Sequence, residues 1–307
     1  MTSSITIGTR GSQLALWQSQ FIKKKINNLY PKIDINLKII KTKGDKIQDR
    51  SLVGLGKGIF TKEIEIGLIN REIDLAVHSL KDLPTQMPKG LCITAIPQRE
   101  DPRDILISDN NHQLDKLATG AKIGTSSPRR KAQLLYSRAD LEIVDIRGNV
   151  DTRINKLNTT DIDAIILAAA GVKRLEKQDL ITQYFDTNLI VPAVGQGALA
   201  IQVREDNADI INMLHPINDP ETSAEISAER TVLEALSGGC QLPLGAYAKY
   251  IDDNLQLIAC VCHPEGSQRI VEESSGKLED ASDIGKIVAD KLLRKGADKL
   301  ISLQINS

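Results

Sequence analysis

A short apolar stretch near the start of the chain ends in Ile7-Gly8-Thr9 and runs into a polar, basic turn, and Ile123-Gly124-Thr125 repeats that ending. "DLAVHS" from Asp74 and "DAIILAA" from Asp163 match in type and in order. The first pair lies 116 positions apart and the second 89, so the first copy carries 27 extra residues. Those residues include "TKGDKIQDRSLVGLGKG" (42–58), which with Gly44, Gly54, Gly56 and Gly58 reads as a mobile loop able to cover a site. A chain that repeats strand, turn and helix in this way is confined to two similar α/β modules. Two such modules facing each other enclose a cleft, a common place for ligands.

The remaining pattern agrees with α/β order. Residues 3–9 read as a strand, and 13–30 carry apolar residues at 14, 17, 21, 22, 26 and 29, a helical stripe with Ser12 as its N-cap. "DINLKII", "DLAVHS" and "LCITAIP" read as strands and "EIEIGLIN" as a helix. "DILISD", "AKIGTSS", "LEIVDIR" and "DAIILAAAG" supply the strands of the second module, with Pro128 suited to the first turn of the helix after "IGTSS". "GALAIQVRED" (197–206) is a strand that returns to the first module. Residues 220–239 form a helix in which Thr222 and Glu225 make a capping box, and three strands and a helix near 280–296 follow. The expected division is 1–97 with 198–217, then 103–191, then a small α+β domain over 220–307, with hinges near 97–103 and 191–197.

Composition narrows the function classes. The chain has 307 residues, long enough for two or three domains. It has no apolar run near the roughly 18 residues of a membrane span, and the start has neither a basic n-region with an apolar h-region nor an Arg-rich transit pattern. A cytoplasmic protein without a membrane role is expected. Cys92, Cys240, Cys260 and Cys262 are too few for a disulfide framework. "CVCH" (260–263) lacks a second pair of metal ligands, and on an alternating strand its two cysteines share one face and pack in a core, so no metal is expected. From residue 218 onward 9 Lys and Arg stand against 15 Asp and Glu, leaving 30 against 25 for the earlier part. That excess favours an anionic ligand. With one Trp and no basic run interleaved with aromatics, a nucleic-acid surface has little support.

The residues that carry chemistry cluster at strand ends. Arg10, Arg129, Arg130 and Arg147 fall at strand ends or helix starts, with Arg153 and Arg174 soon after. Ligands of open α/β sheets bind beyond the carboxyl ends of the strands, where helix N-termini offer N–H donors. A guanidinium matches a carboxylate as a two-pronged fork. With Ser12, Ser126, Ser127 and the Gly148-Asn149 backbone, the set reads as a site for several carboxylates or phosphates. "AVHSLKDLP" ends a buried strand at Lys81 and Asp82. An aspartate among arginines stays ionised, which suits it to steady a developing cation or move a proton. His78 points opposite to Ser79 and reads as a packed histidine. Cys240, between Gly238-Gly239 and Pro243, stands in a shaped loop at the negative end of a helix, so nothing local lowers its pKa by dipole.

Taken in series, "GTRGSQLALWQ", "KGIFTKEIE", "DLAVHSLKDLP", "IGTSSPRR", "DIRGNVDTR", "AAAGVKRL", "VGQGALAIQ" and "SGGCQLPLGAYA" closely resemble the hydroxymethylbilane synthase (porphobilinogen deaminase) family. The resemblance runs nearly end to end and is weakest in the third domain outside the cysteine loop. Pro128 stands where leucine is also familiar.

The resemblance implies two periplasmic-binding-protein-like α/β domains facing a cleft, plus a small α+β C-terminal domain. It implies a transferase that joins four porphobilinogen molecules head to tail, with loss of ammonia, on a dipyrromethane held by a thioether to Cys240, and then releases the linear tetrapyrrole by hydrolysis. Asp82 would be the catalytic aspartate. Ser12, Lys81, Asp82, Ser127, Arg129, Arg130, Gly148 and Asn149 would hold the cofactor. Arg10, Gln18, Arg147, Arg153, Arg174 and Gln196 would bind substrate and growing chain, and Asp45, Lys57 and Phe60 would belong to a lid over about 42–60. A monomer is expected, with porphobilinogen as its partner. The alternative, a non-enzymatic two-lobed binding protein for a polycarboxylate, would call for a secretion signal and leaves Cys240 without a task.

Overall fold

The computed structural model describes residues 4–46, 58–236 and 242–305. Along the chain run β1 (Ser4–Thr9), α1 (Gln13–Leu29), β2 (Asp34–Ile39), α2 (Lys43–Lys46), α3 (Lys62–Ile69), β3 (Leu75–Ser79), β4 (Leu91–Ala95) and β5 (Asp104–Ser108). Then come β6 (Lys122–Gly124), α4 (Pro128–Ser137), β7 (Glu142–Val144), α5 (Val150–Thr159), β8 (Ala164–Ala168), α6 (Ala169–Arg174) and β9 (Gln183–Tyr184). The chain continues with β10 (Leu199–Arg204), α7 (Ala208–Leu214), α8 (Pro220–Ala235), β11 (Leu244–Ile251), β12 (Asn254–Cys262), β13 (Arg269–Gly276), α9 (Ala281–Arg294) and α10 (Ala297–Ile305). The chain divides into two compact units, Met1–Glu100 with Ala198–Ser223, and Asp101–Gly197 with Ala224–Ser307.

The first unit holds a five-stranded sheet in the order β2-β1-β3-β10-β4. β1 is parallel to β2 and β3, while β10 is antiparallel to β3 and β4. Ile5 and Ile7 of β1, Ile22 and Ile26 of α1, Leu75 and Val77 of β3, and Ile201 and Val203 of β10 form its main core. Burying each such side chain stabilises by about 1.5–3 kcal/mol. α1 starts where expected: Ser12 is in extended conformation and its Oγ accepts from Ala15 N at 3.3 Å. Its buried face is Ala15, Gln18, Ser19, Ile22 and Ile26, whereas Leu29, the last residue of the expected stripe, is exposed.

The second unit repeats the plan with the order β7-β6-β8-β5-β9. β6 is parallel to β7 and β8, and β5 is antiparallel to β8 and β9. The duplication reaches single hydrogen bonds. Thr6 N donates to Asp74 Oδ2 at 2.8 Å and Asp74 N to Thr6 O at 2.9 Å. Lys122 N donates to Asp163 Oδ2 at 2.7 Å and Asp163 N to Lys122 O at 2.9 Å. The same unit contains the antiparallel sheet β11-β12-β13, whose apolar face packs against α8, α9 and α10 in a core of its own. Cys260 and Cys262 are fully buried with Ala132 and Val191, as packed cysteines. The architecture is thus mixed α/β, two like sheets and a small three-stranded sheet with helices.

The capping box at the start of α8 is not formed. Asp219 Oδ1 accepts from Thr222 N at 2.8 Å, so Asp219 is the cap, and Thr222 Oγ1 instead accepts from Arg99 N at 3.2 Å. Glu225 Oε1 accepts from Tyr250 N at 3.0 Å. Two capping-type residues three apart produced the misreading, because each alone fits the pattern. No helix among the described residues is long and apolar enough to cross a membrane.

Candidate functional site

In the first unit the carboxyl ends of β1 and β3 shape a small cavity of about 70 Å³, lined by Arg10, Ser12, Gln18, Phe60, Ser79 and Asp82 among others. Arg10 follows β1 directly, and Ser12 opens α1. Gln18, buried on the inner face of α1, donates from Nε2 to Ser79 Oγ at 2.8 Å and so ties the helix to the end of β3. After Ser79 the chain makes one 3-10 turn over Leu80–Asp82. Leu80 N donates to Ala198 O at 3.0 Å and Leu83 N to Leu80 O at 3.1 Å, and both leucines are buried. These two apolar anchors leave Asp82 exposed and Lys81 half-buried between them.

Arg10 closes one side of the cavity. Its Nε and Nη2 donate to Asp45 Oδ1 at 3.0 and 2.5 Å, and its Cζ lies 4.1 Å from the centroid of the Phe60 ring. Asp45 Oδ2 accepts from the N and Oγ1 of Thr42 at 3.1 and 2.8 Å. Partial burial alone would raise the Asp45 carboxyl, but the hydrogen bonds from Arg10 and Thr42 and the Arg10 charge outweigh it and hold it below its ordinary value. Gly44 allows the ring to lie close, since a Cβ there would stand 2.2 Å from Phe60 Cε1.

His78 also borders the cavity, yet it is a packed histidine: it is buried, with Nε2 3.1 Å from Gln202 Oε1. Burial, with a smaller contribution from the Arg10 charge, pushes its pKa down to about 4 against the opposing Gln202 bond.

In the second unit the expected anion-binding residues fall in two groups. Ser127 caps α4, with Oγ accepting from Arg130 N at 3.4 Å and Pro128 in the first turn. Arg129 and Arg130 are both buried around Asp104, which is itself completely buried. Arg129 Nη1 donates to Asp104 Oδ2 and to Val191 O, both at 2.7 Å. Arg130 Nε donates to Asp104 Oδ1 at 2.9 Å, its Nη2 lies 2.7 Å from the same oxygen, and its Nη1 donates to Ile166 O at 3.0 Å. Gln196 Nε2 donates to Asp104 Oδ1 at 3.0 Å and to Pro102 O at 2.7 Å. Burial alone would raise the Asp104 carboxyl, but the two guanidiniums and Gln196 hold it far below the usual carboxylate range.

The other group surrounds the start of α5. Asn149 Oδ1 accepts from the N and Oγ1 of Thr152 at 2.9 and 2.8 Å, which caps the helix. Gly148 has a φ of 114°, and a Cβ there would stand 2.5 Å from Thr152 Cγ2, so the turn needs glycine. Arg153 Nε donates to Gly148 O at 2.9 Å, and Arg147 Nε to Asp145 Oδ2 at 3.2 Å. Arg174 is buried, with Nη2 donating to the O of Gly197, the residue after Gln196, at 2.7 Å.

Lys57 and Cys240 lie outside the described residues, as does most of the expected lid. Sequence reasoning passed over Asp104 and Glu229. Glu229, buried on α8, accepts from Gly195 N at 2.7 Å and Ala248 N at 2.9 Å. A charge at the head of the otherwise apolar "DILIS" was the one available sign of Asp104. No cluster of metal-ligating side chains occurs among the described residues.

A dipyrromethane bears acetate and propionate arms and pyrrole N–H groups. Within the second unit, the half-exposed start of α4 and the exposed start of α5, with Arg147 and Arg153 at α5, offer the N–H and cationic donors such arms need. The donor set fits the group.

Comparison with known proteins gives the same direction. Residues 5–212 match a family model described as the porphobilinogen deaminase, dipyromethane cofactor binding domain, and residues 223–294 match one described as the porphobilinogen deaminase C-terminal domain. A porphobilinogen deaminase of Syntrophotalea carbinolica is 43% identical over 302 residues, 98% of this chain and 96% of its own. One of Trichlorobacter lovleyi is 46% identical over 298 residues, 97% of this chain and 95% of its own. Among solved structures, the methionine binding protein MetQ is 12% identical over 70% of this chain and 89% of its own, with a TM-score of 0.45.

Proposed function

The chain belongs to the porphobilinogen deaminase family, and on that premise we propose how its residues perform the family's reaction. It is a transferase of tetrapyrrole and heme biosynthesis, a hydroxymethylbilane synthase. Four porphobilinogen molecules join head to tail with loss of four ammonia molecules, and one water releases the linear tetrapyrrole. The two-lobed binding-protein reading is not favoured, because the relatives that span the whole chain are named as deaminases.

When bound, the dipyrromethane supplies the pyrrole α-carbon on which the chain grows. Cys240 would hold it through a thioether. Ser127, Gly148 and Asn149 would hold its carboxylates at the starts of α4 and α5, with Arg129 and Arg130 in the first turn of α4, and Ser12, Lys81 and Asp82 would also hold the cofactor.

Asp82 is the catalytic residue in this reading. The C–N bond of the incoming porphobilinogen breaks with its electron pair leaving on ammonia, and the carbon left behind is electron-poor. Asp82 accepts from the pyrrole N–H and lies against that positive charge. Its carboxylate also takes the proton released when the new C–C bond forms. Arg10, Gln18, Arg147, Arg153, Arg174 and Gln196 bind the acetate and propionate groups of substrate and growing chain.

Asp45 and Phe60, with Lys57, belong to the lid. Asp45 and Phe60 occupy Arg10, so porphobilinogen would reach that guanidinium once they withdraw. Hinges near 97–103 and 191–197 and a third domain from residue 220 complete the proposal, for a cytoplasmic monomer that acts on porphobilinogen and on no nucleic acid.

The observation that carries the reading is the convergence of Arg10, Gln18 and Asp82 on one cavity. Intact mass spectrometry tests it. The purified protein is expected to exceed its sequence mass by a dipyrromethane and to colour with Ehrlich reagent, and Cys240→Ser is expected to do neither. A protein at bare sequence mass that still converts porphobilinogen would overturn the tether.

A further inference from the structure

Arg129 and Arg130 are adjacent in sequence, both buried, and both aimed at one carboxylate. Two guanidiniums side by side repel, and burying both is costly unless a carboxylate such as Asp104 compensates them. The carboxylate does more than neutralise. Oδ2 takes Arg129 Nη1, while Oδ1 takes Nε and Nη2 of Arg130, which fixes the plane of the second guanidinium. Val191 O accepts from the same Nη1 of Arg129, and Ile166 O accepts from Nη1 of Arg130 on the edge away from the carboxylate. Gln196 then fastens Asp104 Oδ1 to Pro102 O, so the segment entering this unit and the segment about to leave it are joined at the same carboxylate. Glu229 grips the neighbouring Gly195 N from α8, the helix that leads toward residue 240.

We propose that Asp104 is a positioning residue for the reaction: it anchors Arg129 Nη1 and sets the guanidinium plane of Arg130 in the first turn of α4, and so determines how that end of the unit receives carboxylates. The proposal rests on the reading of this chain as a porphobilinogen-condensing enzyme. Asp104 itself is fully enclosed and acts through its partners.

The test uses the holoenzyme and three variants, Asp104→Asn, Arg130→Lys and the double substitution. Each is characterised by thermal unfolding, intact mass, and kcat and KM for porphobilinogen. Asp104→Asn is expected to raise KM at least tenfold with a smaller change in kcat, and to lower the fraction of protein carrying the dipyrromethane. Arg130→Lys keeps the charge pair but removes the fork, and is expected to raise KM similarly while melting within a few degrees of wild type. The double variant is expected to be no worse in KM than the poorer single, since both disturb one arrangement.

A lowered melting temperature in Asp104→Asn with unchanged KM and full dipyrromethane content would reduce Asp104 to a structural ion pair. So would a double variant whose KM rises by the product of the two single effects. Should Asp104→Asn fail to fold, Arg130→Lys decides alone: wild-type KM there overturns the proposal. Failure of the underlying reading is distinguishable, because wild-type protein would then carry no dipyrromethane and consume no porphobilinogen.

Discussion

Arg10 and Asp45 form a two-pronged contact on a single oxygen, Nε at 3.0 Å and Nη2 at 2.5 Å from Asp45 Oδ1, with the Phe60 ring against the guanidinium. Asp45 therefore occupies the donors that a substrate carboxylate would use. Replacing Asp45 by Asn removes the charge that competes for Arg10. The variant is expected to show a KM for porphobilinogen several-fold below wild type in steady-state assays. An unchanged or higher KM would mean that the pair assists binding rather than competing with it.

Asp82 stands exposed between two buried leucines, so its charge contributes little to the fold. Asp82→Asn is expected to melt within a few degrees of wild type. Its kcat is expected to fall by about 100-fold or more, the scale seen when one stabiliser of transition-state charge is removed. Retention of most of the turnover would exclude the carboxylate from the charge-stabilising role.

His78 links stability to pH. Its pKa is pushed down to about 4 by burial, from an ordinary value of 6.5. The unfolded chain thus binds a proton that the folded chain refuses, and stability present above pH 6.5 is lost as pH falls toward 4. Between pH 7 and 5 the loss from this one group is about 2 kcal/mol. His78→Gln retains a donor for Gln202 and is expected to flatten the pH dependence of urea unfolding in that window by this amount. Parallel curves for the two proteins would refute the assignment.

Gly148 has a φ of 114° beside Thr152. Gly148→Ala is expected to destabilise the protein by more than about 1 kcal/mol, measured by urea unfolding, and to raise KM by displacing the Asn149 cap. Wild-type values in both measurements would show that the turn tolerates a side chain.

The duplicated plan was readable because it depends on local order. The Ile-Gly-Thr strand endings and the paired aspartates Asp74 and Asp163 sit in short segments, and the matched hydrogen bonds to residues 6 and 122 follow from them. Ser12 was readable as a cap, and Pro128 as the first turn of the next helix, for the same reason. Arg129 and Arg130 were read by position as residues for a ligand's carboxylates, and nothing in the sequence marked them as partners of Asp104. That carboxylate lies 25 and 26 positions away from them and 92 from Gln196. No period or motif connects such distances, and a single acid before an apolar strand looks like an ordinary strand end. At α8 the local signal itself was ambiguous, and Asp219 took the place assigned to Thr222.

The place of β10 has a consequence for biosynthesis. Among the described residues β4 pairs with β10 alone, and β10 separates it from β3. The first hundred residues to leave the ribosome hold four of the five strands of their sheet and lack the one that joins the fourth to the rest. Until Leu199–Arg204 emerges, the nascent chain presents an unfilled slot beside β3. Synthesis of the whole second sheet must finish before the first can close, which makes the earliest part of this protein among the last to settle.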